Sequence, residues 1–282
     1  MRAENVTGPV AHHAEGPVWW PGWGGLRYVD LSAGDLLTIR DGRVDRLPTG
    51  SPVAAFVRPR VSGGYVVALE RGIGLSDHVD RPPDRTIELW HDPALRMNDG
   101  ATDPDGRLYA GSMAYDSTPH AAALFRIDAG LGWMRVLDGV TISNGLAFSP
   151  DGSWAYHADT ATGRVDRFDR LDGELVHRRP FVETEPERGM PDGLTVAADG
   201  SVWVAYWGAS AVRGFDTAGK LIATIELPAM QVSACTFGGE RLDELYITTS
   251  RQGLAVGDQP EAGSVFVARI GVPGIPVVPF AG

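Results

Sequence analysis

Short runs of apolar and β-branched residues punctuate the chain, and each opens on a turn signal. Residues 26–30 follow Gly24-Gly25, residues 65–69 follow Ser62-Gly63-Gly64, and residues 107–110 follow Pro104-Asp105-Gly106. Residues 154–157 come just after Pro150-Asp151-Gly152, residues 202–206 after Asp199-Gly200, and residues 244–248 after Gly238-Gly239. Runs this short, bounded by turn formers, predict strands. Their starts at 26, 65, 107, 154, 202 and 244 are spaced by 39, 42, 47, 48 and 42 residues. Six strand-turn units at such a period predict an all-β chain folded as a six-bladed β-propeller, whose blades are about 40 to 50 residues long.

Composition narrows the alternatives. The 36 glycines and 20 prolines are spread so evenly that the longest stretch lacking both, residues 240–252, is thirteen long. Helices of ordinary length are thereby excluded, because interior Gly and Pro cost about 1 and 3 kcal/mol each. A hydrophobic content of 43% with 22% charged residues is that of a packed globule. No apolar run approaches the roughly 18 residues of a membrane helix, and the first residues hold no apolar leader segment. The single Cys235 rules out an intrachain disulfide and a cysteine-based zinc site. These features predict one domain over residues 1–282, cytoplasmic and monomeric, with no membrane partner. A net charge of −11 argues against a nucleic-acid partner, which a basic patch would have to attract.

Three segments can be laid on one another. Asn144-Gly145-Leu146 up to Asp151-Gly152 matches Asp192-Gly193-Leu194 up to Asp199-Gly200, and Asn98-Asp99-Gly100 up to Asp105-Gly106 is similar. With Asp99 set against Asn144, the third segment is one residue shorter. The first unit reads Glu15-Gly16-Pro17-Val18-Trp19, whereas the second and sixth carry Ala55 and Ala234 near that place, without an acid. These stretches are the first strands of their blades, and in a propeller the first strand lines the central channel. Glu15, Asp99, Asn144 and Asp192 are therefore expected on one ring at one end of the channel, with Asn98 beside it. Asn-Gly and Asp-Gly are ordinary turn formers, but three at equivalent places plus a glutamate point to a site. Carboxylates crowded at a channel mouth repel one another and lose hydration, and a bound divalent cation is the simplest compensation. Oxygen donors without Cys or a His pair favour a hard ion, Ca²⁺ first, then Mg²⁺ or Mn²⁺, over a thiolate-type zinc site.

Glu15-Gly16-Pro17-Val18-Trp19, Arg96-Met97-Asn98-Asp99-Gly100, Ile142-Ser143-Asn144-Gly145-Leu146 and Pro191-Asp192-Gly193-Leu194 resemble, in order, the four signatures of the SMP-30/gluconolactonase/regucalcin-like (LRE) family. The resemblance implies a six-bladed propeller with one divalent metal cation in its channel (Ca²⁺, Zn²⁺, Mn²⁺, Mg²⁺ or Fe²⁺) and hydrolysis of sugar lactones. It implies that Glu15, Asn144 and Asp192 are the metal ligands, and that Arg96 and Asn98 hold substrate oxygens. The loop after Tyr109-Ala110-Gly111-Ser112-Met113 departs from the animal members: where a substrate-binding carboxylate is expected, Thr118-Pro119-His120 and a run of Ala follow, and the nearest acid is Asp116.

The chemistry can be argued on its own terms. No Gly-x-Ser-x-Gly elbow is present and the only cysteine falls within a strand, so no covalent nucleophile is signalled. A cation that polarises the lactone carbonyl removes the need for one. Asp192 is then expected to act as base as well as ligand, with Asp99 the next candidate. A phosphotriester hydrolase using the same ion, or a calcium-binding propeller without catalysis, are the competing readings. Among the remaining residues, His12-His13 is expected in the segment that closes the ring, His157 in a second strand, and most tryptophans between blades. Trp207 is the candidate to wall the pocket.

Overall fold

The computed structural model describes all 282 residues. After a two-residue strand β1 (Glu4–Asn5), the chain forms six four-stranded antiparallel sheets around one axis. Blade 1 holds β2 (Ala14–Trp20), β3 (Gly25–Asp30), β4 (Asp35–Arg40) and β5 (Arg43–Pro48). Blade 2 holds β6 (Ala54–Pro59), β7 (Tyr65–Leu69), β8 (Gly72–Ser76) and β9 (Arg85–Glu88). Blade 3 holds β10 (Leu95–Thr102), β11 (Leu108–Ala114), β12 (Ala122–Ile127) and β13 (Trp133–Val140). Blade 4 holds β14 (Ser143–Phe148), β15 (Trp154–Asp159), β16 (Arg164–Leu171) and β17 (Glu174–Glu183). Blade 5 holds β18 (Met190–Val196), β19 (Val202–Trp207), β20 (Ala211–Phe215) and β21 (Leu221–Glu226). Blade 6 holds β22 (Val232–Gly238), β23 (Glu244–Thr249) and β24 (Val265–Ala268).

The expected architecture is the observed one. The six sequence runs are the second strands β3, β7, β11, β15, β19 and β23, most of them a residue or two longer than read. Only the third needs redrawing, since β11 begins at Leu108 and continues to Ala114. Six of the seven tyrosines fall one to each of these strands, and Tyr28, Tyr65, Tyr109, Tyr156 and Tyr206 are fully buried between blades. Burial falls from axis to rim: β22 is buried throughout, while β5 and β9 are mostly exposed and β21 is exposed at half its residues. The chain closes its own ring, because β1 pairs antiparallel with β24, Glu4 against Val267 and Asn5 against Phe266. That removes the open edges that an incomplete ring would leave. No helix is long and apolar enough to cross a membrane.

The upper end of the channel is the one at which the inner strands β2, β6, β10, β14, β18 and β22 begin. The lower end is crossed by the last ten residues. Ala198 N–H donates to the Pro273 carbonyl and Gly274 N–H to that of Leu242, on blades 5 and 6. On the far side, Thr102 Oγ1 donates to the Val278 carbonyl and Phe280 N–H to that of Pro59, on blades 3 and 2. Phe280 is fully buried, which pins the strap. Between strap and inner strands lies a cavity of about 330 Å³ walled by Val18, Leu146, Phe148, Leu194 and Phe237.

Candidate metal centre

Each inner strand breaks register with its neighbour at the same level. The pairing of β2 with β3 jumps between Glu15 and Val18, that of β10 with β11 between Met97 and Gly100, that of β14 with β15 between Ser143 and Leu146, and that of β18 with β19 between Pro191 and Leu194. Two residues stand unpaired in each: Gly16-Pro17, Asn98-Asp99, Asn144-Gly145 and Asp192-Gly193. In β6 and β22 only one does, Ala55 and Ser233. Bulges of this kind re-aim side chains out of the ladder, here at the upper mouth. The paired glycines let the inner strands converge. A Cβ on Gly193 would lie 2.4 Å from that of Ala234, and one on Gly145 2.6 Å from the Asp192 carbonyl oxygen.

This register corrects one sequence expectation. Asn98, not Asp99, occupies the place of Asn144 and Asp192, and Asp99 stands where blades 4 and 5 have Gly145 and Gly193. The missing residue was an artefact of the offset, since Asn98, Asn144 and Asp192 are each eight residues before Gly106, Gly152 and Gly200. Asp99 is nonetheless buried at the ring with the rest: exposures are 4% for Glu15, 7% for Asn98, 6% for Asp99, 6% for Asn144 and 4% for Asp192.

The polar atoms here are unevenly satisfied. Glu15 Oε2 accepts from Gly16 N–H at 2.9 Å and Asp99 Oδ1 from Gly100 N–H at 2.7 Å. The Asn144 amide donates to Thr160 Oγ1 at 3.0 Å, and that hydroxyl donates to the Pro191 carbonyl at 2.8 Å. Asn144 is thus turned with its carbonyl oxygen away from Thr160. Asn144 Oδ1 and Asp192 Oδ1 are buried and have no hydrogen-bond partner. Orphaned buried acceptors are costly unless something positive meets them. The charges tell the same story. Burial, then the neighbouring Asp99, pushes the Glu15 carboxyl up to about 8. Burial, then Glu15 and Asp99, raises Asp192 well above the usual carboxylate range. Asp99 is raised by burial and held back by Arg58.

No three His, Cys, Asp or Glu side chains gather closely enough to hold a metal by themselves. A ligand set here would have to include an amide oxygen, and the buried Asn144 Oδ1 is one that has no other partner. Two carboxylates and one amide carbonyl, all-oxygen and short of positive charge, fit a hard divalent ion.

Arg96 stands on the rim. Its Nη1 donates to Asn98 Oδ1 and to the Met97 carbonyl, both at 2.8 Å. Asn98 in turn donates to the Ser143 carbonyl at 2.9 Å. That chain fixes Arg96 and leaves its other N–H groups without protein partners. Asp116 does not reach the mouth: it is exposed and accepts from the N–H and hydroxyl of Thr118. His13 is buried against Ser250, and its ring centroid is 5.6 Å from that of Trp207 at the upper end of β19. Trp19 stacks on Tyr246 across the join of blades 1 and 6, a packing role. Cys235 is buried within β22 and burial pushes its thiol up, so it is no nucleophile. Sequence reasoning missed Thr160 and Arg58, for which no spacing gives a signal.

His157, on β15, supports the ring from behind. Its Nε2 is 2.8 Å from Ser143 Oγ, while its Nδ1 is buried without a partner. Burial, with Arg178 adding to it, lowers its pKa from 6.5 to about 4. The folded ring thus stays neutral where an unfolded one would be protonated. Its contribution to stability is complete above pH 6.5 and is lost as pH falls towards 4, at about 1.4 kcal/mol per pH unit. In urea unfolding between pH 7 and 4, the stability of the wild type is expected to fall by that amount per pH unit more than that of His157→Gln, since Glu15, Asp192 and His13 titrate alike in both. Equal slopes would mean that the ring does not titrate as described.

A family model described as SMP-30/Gluconolactonase/LRE-like region matches residues 13–251. Regucalcin from Danio rerio is 35% identical over 293 residues, covering 100% of this chain and 99% of that protein. A regucalcin structure from Agrobacterium tumefaciens, described as a calcium-binding protein, superposes with a TM-score of 0.90 at 26% identity over 99% of this chain and 96% of the other. A luciferin-regenerating enzyme gives 0.89 at 28% identity, covering 98% of each chain.

Proposed function

This chain belongs to the SMP-30/gluconolactonase/LRE-like family, and we propose that it is a hydrolase that opens sugar lactones to the hydroxy acid with the help of one divalent ion. The observation that carries the reading is the pair of orphaned oxygens, Asn144 Oδ1 and Asp192 Oδ1, buried at a ring with Glu15. We take Glu15, Asn144 and Asp192 as the ligands and Ca²⁺ as the first ion to try, in keeping with the calcium-binding relative. When bound, such an ion would polarise the lactone carbonyl and lower the pKa of water.

The chain's own residues do the rest. Asp192 accepts a proton from water as its oxygen adds to the carbonyl carbon, then returns that proton to the ring oxygen as the C–O bond breaks. Arg96 donates its free N–H groups to carbonyl or hydroxyl oxygens of the substrate through a planar fork that Asn98 holds still. The lower strap and the apolar cavity above it leave the upper mouth as the entrance. A calcium-binding propeller without catalysis would have no use for a guanidinium fixed by Asn98 and the Met97 carbonyl beside the ring.

The test is a pH-stat screen of five- and six-membered aldonolactones beside a phosphotriester panel, with Ca²⁺, Mg²⁺, Mn²⁺ and Zn²⁺ added in turn. Lactone opening is expected. Turnover of phosphotriesters alone would favour the rival chemistry, and turnover of neither would leave ion binding as the activity. With a lactone substrate, Arg96→Ala is expected to raise KM about 10- to 100-fold, the worth of charged hydrogen bonds, with a smaller loss in kcat. A kcat loss at constant KM would instead place Arg96 at the transition state.

A further inference from the structure

Blades 2 and 6 bring no acid to the ring, and blade 2 brings a cation. Arg58, on inner strand β6, reaches across to both neighbouring blades. Its Nη1 donates to the Val57 carbonyl at 2.7 Å and to that of Gly16 at 3.4 Å, and its Nη2 donates to the Gly100 carbonyl. Gly16 and Gly100 directly follow Glu15 and Asp99, and their N–H groups donate to those two carboxylates. One guanidinium therefore grips the far side of the same two peptide segments that orient two of the ring's acids. Arg58 is also the only charged residue facing the lower cavity, otherwise walled by apolar and hydroxyl side chains. It makes no direct ion pair, yet its charge acts on Asp99 and Glu15 from below, while Arg96 on the rim acts on Glu15 and Asp192.

We propose that Arg58 is the ring's built-in counter-charge, a positioning residue that makes the ion-free channel tolerable and limits how tightly the ion is held. The inference rests on reading Glu15, Asn144 and Asp192 as ligands of one divalent ion. Without the ion, three buried carboxyls repel one another, and a fixed positive charge behind Glu15 and Asp99 offsets part of that repulsion. With the ion present, the same charge opposes it. Loss of the charge destabilises the ion-free form and favours the bound one, so affinity rises. A residue that only clamped the two bulges would act in the opposite sense, because its loss would loosen Glu15 and weaken binding. The sign of the change separates the two roles.

Calorimetric titration of chelator-stripped protein with Ca²⁺ reads that sign. Arg58→Gln, which keeps N–H donors for the carbonyls and loses the charge, is expected to bind at least about tenfold tighter than wild type. Arg58→Lys, which keeps the charge, is expected within about threefold of wild type. Asp99→Asn alone is expected to weaken binding, and Arg58→Gln with Asp99→Asn to return it near the wild-type value, which holds the test open if the single Gln variant does not fold. Equal or weaker binding by Arg58→Gln, identical behaviour of the Lys and Gln variants, or a double variant no tighter than Asp99→Asn would overturn the proposal. Wild-type protein that bound no ion would bring down the ring reading first, and the counter-charge with it.

Discussion

Asp192→Ala is expected to lower lactone hydrolysis at least about 10³-fold and to abolish ion binding, while leaving the ion-free fold as stable as before or more so. The first part follows from two roles in one side chain. A positioned base contributes about 10² to 10⁴ in rate, and charge stabilisation at the reacting carbonyl contributes a comparable amount. The second part follows from the cost of the residue in its own fold. Asp192 is 4% exposed, one of its oxygens has no partner, and burial with Glu15 and Asp99 raises its pKa. An acid that is uncomfortable when the channel is empty is there for function, not for stability. Urea unfolding in chelator separates this from collapse of the site. A variant with wild-type turnover would move the base to Asp99. A variant less stable by several kcal/mol would mean that Asp192 holds the blades together.

Stripping the ion should have an effect of similar size. Protein treated with chelator and desalted is expected to lose activity below detection and to regain it as one equivalent per chain is returned. The fold should survive, since the ring is closed by β1 on β24 and the strap rather than by the ion. Its melting temperature should still rise on saturation: at a free concentration 100 times the dissociation constant, binding adds about 2.7 kcal/mol. Turnover that is indifferent to chelator would contradict the chemistry proposed for this channel, even if lactones proved to be the substrates.

The blade count was legible because it is written in turns. The glycines that precede the six second strands, Gly24, Gly64, Gly106, Gly152, Gly200 and Gly239, all have positive φ, a conformation that costs other residues and so leaves a mark at every repeat. The inner-strand repeats left a mark for a different reason, as Gly145 and Gly193 are required by the close approach of neighbouring strands. The register of blade 3 was not legible. Asn98 and Asp99 are both oxygen-bearing, and although the spacing to Gly106 matches Asn98 to Asn144 and Asp192, the acid at Asp99 draws the alignment one residue off, and the bulge fixes it. Arg58 was hidden because its partners are backbone carbonyls of two other blades, about 42 residues away on either side, which no local pattern encodes. The strap was hidden too. Its residues form no regular strand and are ordered by isolated contacts with four blades.

The central claim is spatial: three stretches of chain, far apart in sequence, would deliver oxygens to one ion. An anomalous difference map from crystals saturated with Mn²⁺ tests it most directly. One peak per chain is predicted, at coordination distance from a Glu15 oxygen, Asn144 Oδ1 and Asp192 Oδ1, and absent in crystals of Asp192→Ala. A saturated crystal with no peak on the axis, or with its peak at a surface carboxylate, would contradict the account.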